Sequence, residues 1–162
     1  MKTDYQVRAE KFAHVLVKLF ANCKYLEDFE YAVRQYNNTH RYQLKIAHGI
    51  SRIAIIRSDY VIKFHRRADF EGWAGDNTSE RKMYEKAVDD GYDYLLAEIN
   101  LVNVDDVQVA IMPRIYGIDS TYHYENYLTW DEQEWVEQNI GDIHSKNFGI
   151  RNNTVCFVDY AS

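Results

Sequence analysis

The spacing of apolar residues changes once along this chain, and that change limits the fold more than any other feature. Before the change, Phe12, Val15, Leu16, Leu19, Phe20 and Cys23 recur at helical intervals, and Leu26, Phe29, Val33 and Tyr36 form a second stripe. The polar stretch 22–25 separates the stripes and predicts two amphipathic helices within 4–37. Thr3 or Asp4 is placed to cap the first, and Asn37-Asn38-Thr39 ends the second. From residue 43 the period becomes two. Strands are predicted at 43–47, 53–56 and 60–64, with Gly49 breaking the first pair and Ser58-Asp59 turning the second. A chain with both patterns in separate blocks is neither all-helical nor a regular alternation of strand and helix.

The remainder extends the strand block and then closes it. Asn77 is predicted to start a helix, with Glu80 placed as in a capping box, and Gly91 offers a left-handed end. Strands follow at 95–102 and 107–115, joined around Asp105-Asp106. Pro113, the single proline, marks an exit from the sheet because it brings no N–H to a ladder. Thr129 caps a predicted helix at 130–140 that buries Trp135 and Val136 and ends at Gly141. A polar loop from Asp142 to Asn147 leads into a hairpin turning at Asn152-Asn153, with 154–158 as its second strand. The expected fold is α+β: a helical hairpin (1–40), a five-stranded antiparallel sheet with one packed helix (41–117), and a reduced second lobe (118–162).

Composition excludes several classes of function. The 162 residues can close a core without disulfides or metal. At 46% hydrophobic and 15% aromatic the chain is not disordered. Its net charge of 19 − 25 = −6 argues against nucleic acid and anionic membrane surfaces as partners. Cys23 and Cys156 have no metal or disulfide spacing and read as free thiols. The first residues do not read as a signal peptide, and no run of 18 apolar residues predicts a span, so a cytoplasmic protein is expected.

Chemistry concentrates at the C-terminal loop and hairpin. A hairpin that folds back makes neighbours of its ends, here Asn147 and Asp159. Two oxygen ligands of this kind suit Mg²⁺, which keeps water and phosphate oxygens in its shell. Asp142 is a carboxylate able to accept a proton from an attacking hydroxyl. Upstream, Lys63 on the third strand is the candidate phosphate ligand. Glu80 on the following helix is the carboxylate to hold it, with Glu85 as competitor.

This order of parts resembles the protein-kinase-like fold. Val61-Ile62-Lys63 is similar to the V-A-I-K strand, Met112-Pro113-Arg114 to the hinge, and Asp142, Asn147 and Asp159 to the catalytic Asp, metal Asn and metal Asp. The loop Asp142-Ile143-His144-Ser145-Lys146-Asn147 is closest to the D-x-H-x-x-N form of aminoglycoside-phosphotransferase-like enzymes and small bacteriophage kinase-like proteins. The resemblance implies a minimal kinase-like fold and ATP- and Mg²⁺-dependent transfer of a γ-phosphoryl group to a hydroxyl acceptor, a protein Ser/Thr or a small molecule. It further implies nucleotide contacts from Gly49, Ser51, Lys63, Met112 and Arg114, with Glu80 positioning Lys63, and a bacteriophage or bacterial source. The sequence departs from the family's pattern in three places. Gly49 stands alone where a glycine-rich loop is usual, so Ser51 and backbone N–H groups are expected to close over phosphates. The metal triplet reads Asp159-Tyr160-Ala161. The residues given stop three positions after Asp159, before any activation segment, leaving the N-terminal helices or a second chain to brace the loop.

Other readings stay open at this point. The same residues fit an inactive kinase-like module that grips a host or partner protein, and also a plain structural domain. Lys63 reads alternatively as a strand lysine facing solvent, His144 as a structural hydrogen-bonding residue, and the tyrosines at 116, 122, 124 and 127 as packing residues.

Overall fold

The structure, a computed structural model, describes residues 1–41, 43–48, 52–65, 77–117, 124–141, 143 and 147–160. Of the residues named above, Gly49, Ser51, Tyr122, Asp142, His144, Ser145, Lys146 and Ala161 lie outside these. The chain separates into two compact units, each discontinuous in sequence. The first comprises 1–77 and 100–114, the second 78–99 and 115–162.

In the first unit, helices α1 (Asp4–Ala21) and α2 (Leu26–His40) precede strands β1 (Lys45–His48), β2 (Arg52–Ile56) and β3 (Tyr60–His65). Strands β4 (Asn100–Val104) and β5 (Val107–Pro113) complete an antiparallel sheet of order β1-β2-β3-β5-β4. Thr3 caps α1 in a full capping box, its backbone N–H donating to Gln6 Oε1 over 2.8 Å. Helix α2 ends at Arg41, which takes the left-handed conformation at φ 55°. Strands β4 and β5 turn on Asp105 and Asp106, both at positive φ (48° and 67°), as a tight hairpin requires. Pro113 closes β5 beyond the end of β4, where its missing N–H interrupts no ladder.

The alternation of the strands gives the sheet two chemically different faces. Ile53 and Ile55 of β2, Ile62 and Phe64 of β3, and Val109 and Ile111 of β5 share a core with Phe12, Leu16 and Phe20 of α1 and Phe29 and Val33 of α2. Phe20 stacks on Phe64 with centroids 5.6 Å apart, and Phe29 meets Phe20 edge-on at 5.3 Å. One cluster of rings thus locks both helices to β3. The opposite face carries Lys63.

In the second unit, helix α3 (Asn77–Asp90, of which only Asn77 belongs to the first unit) ends at Gly91, at φ 83° as anticipated. Helix α4 (Trp130–Asn139) starts in a capping box built by Thr129 and Glu132. Trp135 is buried, donates from Nε1 to Asp90 Oδ2 over 2.9 Å and stacks on Tyr92, joining α4 to the end of α3. Strands β6 (Phe148–Arg151) and β7 (Thr154–Phe157) form the C-terminal hairpin, its turn at Asn152 and Asn153 with φ 53° and 64°.

Several boundaries correct the sequence expectations: α2 runs through Asn37-Asn38-Thr39 to His40, and β5 ends at Pro113 rather than at 115. Of the stretch expected as a strand from residue 95, Leu95 closes a 3₁₀ turn (Asp93–Leu95), the chain continues extended at Leu96, and β4 begins only at Asn100. Leu95, Leu96, Ala97 and Ile99 are fully buried, so their run carries no alternation to place a strand. Leu96 instead bridges Phe157, and Ala97 N–H donates to Phe157 O over 2.8 Å, so the segment packs on the C-terminal hairpin. Helix α4 stops at Ile140, in extended backbone, before Gly141 is reached. Among the described residues no helix is long and apolar enough to cross a membrane.

Candidate functional site

In the first unit the strand registers align Ala47, Ala54, Lys63, Ala110 and Leu101 in one row across all five strands, on the face opposite α1 and α2. A second row, two residues along, aligns Lys45, Ile56, Val61 and Met112. Lys63 is only 8% exposed, and Ala110 and Met112 are buried. The neighbours of Lys63 on the adjoining strands, Ala54 and Ala110, are both small. A cation so enclosed has lost much of its hydration, which strengthens any interaction with an anion. The arrangement therefore sets the buried ammonium group of Lys63 into a floor whose centre is apolar.

The end of this floor is held by Asn77, which the sequence marked only as a helix start. Asn77 is fully buried. Its amide nitrogen donates to the Lys63 carbonyl oxygen over 3.4 Å, and its Oδ1 accepts from Arg52 Nη1 over 3.3 Å. Its backbone N–H donates to His65 Nε2 over 2.6 Å, which requires that nitrogen to be unprotonated. Arg52 and His65 face each other in the β2–β3 register, on the same face as Lys63. Asn77 thus fixes the end of β3 that follows Lys63. Arg114, expected at the hinge, donates its backbone N–H to Asp59 O over 3.0 Å and Nη1 to Arg57 O over 3.1 Å, anchoring it to the β2–β3 turn.

In the second unit the hairpin brings Asn147 and Asp159 to its open end. Phe148 pairs with Phe157, and one step beyond, Val158 N–H donates to Asn147 O over 2.8 Å. Asn147 is 5% exposed, whereas Asp159 is exposed. Tyr160 is buried, and its hydroxyl donates to Ala97 O over 2.8 Å. Burial, followed by the negative charge of Glu80, pushes the Tyr160 hydroxyl far above its ordinary value. Glu80 thus lies within electrostatic reach of the residue that follows Asp159. The two candidate helix carboxylates differ sharply. Glu80 is fully buried, while Glu85 is exposed and pairs with Arg81 over 3.0 Å, one turn away.

Among the described residues no three His, Cys, Asp or Glu side chains cluster as a metal site would require. Asn147 and Asp159 offer one amide and one carboxylate, a hard oxygen pair that suits a cation completing its shell with phosphate and water. Lys63, Met112 and Arg114 belong to the first unit; Glu80, Asn147 and Asp159 belong to the second. The chain matches no protein-family model, and no curated protein matches it.

Proposed function

We propose that this chain is a kinase-like phosphotransferase that moves the γ-phosphoryl group of ATP to a hydroxyl acceptor with Mg²⁺. The observation that carries the reading is Lys63, buried in a row of alanines on the face of the sheet opposite α1 and α2. A strand lysine held within the fold rather than in solvent is uncommon, and a row of small side chains beside it brings little packing. Both make sense where a flat apolar ring and a phosphate are to be received.

In this reading the first unit binds nucleotide: Lys63 neutralises α/β-phosphate charge, and Ala54, Ala110 and Met112 form the floor for the base. Gly49 and Ser51 are assigned to the phosphates, and Arg114 keeps the hinge end rigid. In the second unit Asn147 and Asp159 would hold Mg²⁺, which supplies charge neutralisation at the transferring group. Glu80 is the carboxylate assigned to position Lys63. Asp142 would orient the acceptor hydroxyl and take its proton as the new P–O bond forms and ADP leaves. Catalysis of this type is positioning and electrostatics.

The test is calorimetry of MgATP on the parent chain and on Asp159→Asn, followed by transfer assays. Binding that needs Mg²⁺ and weakens in Asp159→Asn supports the reading, and Asp142→Ala should lose turnover while keeping the nucleotide. Absence of binding at millimolar ATP would overturn it. Tight binding without transfer to any acceptor would reassign the chain as a nucleotide-gripping module for a partner protein.

A further inference from the structure

The strand order β1-β2-β3-β5-β4 leaves β1 and β4 as the edges of the sheet in the first unit. An unpaired edge invites another strand, and natural sheets guard it with charge or proline. Strand β1 carries Lys45, which is exposed. Strand β4 reads Asn-Leu-Val-Asn-Val and has neither charge nor proline.

The register of β4 identifies its outward groups. Val104 and Val107 pair across the tight turn at Asp105 and Asp106, so they exchange both main-chain bonds. Alternation then makes Val102–Val109 and Asn100–Ile111 the other bonded pairs, and directs the N–H and C=O of Leu101 and Asn103 away from β5. No hydrogen bond among the described residues takes up these outward groups. A hollow of about 360 Å³ is lined by residues 100–103 together with Lys2, Gln6 and Glu10 near the start of α1. Consecutive strand residues point to opposite faces, so a hollow that touches all four runs along the edge itself. Asn103 is exposed, and Leu101 and Val102 are half-buried. Lys2 and Glu10, the charges in the hollow, pair with each other over 2.7 Å. The strip is therefore neutral in a chain of net charge −6, and two copies can meet there without like charges facing.

We infer that β4 pairs antiparallel with β4 of a second copy of this chain, about a two-fold axis at Val102. Leu101 then faces the partner's Asn103, and Asn103 the partner's Leu101, so every outward N–H and C=O of these two residues finds its complement. Val102 meets the partner's Val102 in the closer, non-bonded pairing, apolar against apolar. The paired stretch closes with Asn100 against the partner's Val104, before the turn acids Asp105 and Asp106 enter it. Moving the axis by one residue would enlist residue 99 or 105 instead. Ile99 O already accepts from Arg81 Nη1 over 2.5 Å, and Asp105 is a turn residue at positive φ, so the axis at Val102 is the one that leaves nothing unmatched. The strip is short beside a standard interface, so the dimer is reversible and concentration-dependent. None of the residues assigned to phosphoryl transfer lies on β4, so the inference stands apart from that function.

The experiment follows sedimentation of the whole chain from micromolar to millimolar concentration, where monomer should give way to dimer. Asn103→Pro removes an outward N–H without touching the β4–β5 ladder, and should weaken the dimer about tenfold or more. Asn103→Lys places two ammonium groups on a cross-strand diagonal of about 7–8 Å and should weaken it likewise. It also keeps the test open if the proline variant does not fold, and thermal midpoints report folding for both. Val102→Cys should join two copies through position 102 on mild oxidation, read from the mass of the linked peptide, because directly opposed residues lie within disulfide reach. Lys45→Cys, on the other edge, should not. Concentration-dependent dimer lost in Asn103→Lys and linked through Val102→Cys supports the pairing. Monomer at millimolar protein, a dimer untouched by Asn103→Lys, or linkage through Lys45→Cys in preference to Val102→Cys would overturn it.

Discussion

The hydroxyl of Tyr160 donates to the carbonyl oxygen of Ala97 over 2.8 Å, tying the residue that follows Asp159 to a segment 63 positions earlier. The bond orders the backbone on which Asp159 sits. It also makes stability depend on alkaline pH. Below about pH 10 a tyrosine keeps its proton in both folded and unfolded chains. Above that, the unfolded chain ionises at Tyr160 while the folded one does not, because burial and then Glu80 disfavour the phenolate. The folded state then holds more protons, so stability falls as pH rises. Tyr160→Phe should cost about 1 kcal/mol near neutrality, since Ala97 O loses its donor, and should flatten the alkaline decline. Tyr84, Tyr94 and Tyr124 are also raised, so a slope remains. Urea midpoints at neutral pH and above about pH 10 check both parts; identical slopes in parent and variant would contradict the argument.

The two thiols should separate cleanly in reactivity. Cys156 is fully buried in β7, and burial pushes its thiol up to about 11, so it stays protonated at ordinary pH. The thiolate is the reacting species. Cys23 is half-buried at the end of α1. An aromatic disulfide reagent should therefore titrate one thiol in the native chain and the second only as urea unfolds it. Simultaneous release of both in native buffer would show that β7 opens readily.

How much of this was legible in sequence depends on where the deciding information lies. Helices α1 and α2 were readable because each buries one stripe, and the turns at Asp105-Asp106 and Asn152-Asn153 because their residues tolerate positive φ. The segment from Leu95 to Ile99 was not, because complete burial erases periodicity. At the candidate site, Lys63, Asn147 and Asp159 were visible from local patterns and intervals. Asn77 was seen only as a helix start, since its bonds to Lys63 O, Arg52 and His65 depend on strand register. The alanine row was recoverable in principle, by counting outwards from the Ser58-Asp59 turn, where Ala54 falls opposite Lys63. Nothing local distinguishes those alanines from any others.

Gly149 is the position in the hairpin that should tolerate least. A Cβ there would run into Tyr116 O, reach 2.7 Å from the Tyr116 carbonyl carbon and 2.8 Å from Ile115 Cγ2. Two of these three obstacles are backbone, and Tyr116 O also accepts from Ile150 N–H. Gly149→Ala should therefore cost about 3 kcal/mol, the upper range for forcing atoms into packed space. Gly117→Ala is the control, since its nearest atom would be Phe148 O at 3.9 Å. Equal thermal midpoints for the two variants would mean that the bridge between residues 117 and 149 is not maintained.

The alanine row gives the sharpest separation of binding from folding. Ala54 is half-buried on the face of the sheet away from α1 and α2, directly opposite Lys63 on the next strand. Leucine there adds volume beside the ammonium group without entering the core of Phe12, Phe20 and Phe64. Ala54→Leu should change stability by about 1 kcal/mol or less, yet weaken MgATP about tenfold or more by filling the floor assigned to the base. Ala110→Leu would not make the same distinction, because Ala110 is fully buried and overpacking would lower stability as well. Calorimetry and thermal melts on Ala54→Leu together decide the matter. Unchanged nucleotide affinity with an intact fold would move the base away from this face, and with it the role assigned to the row around Lys63.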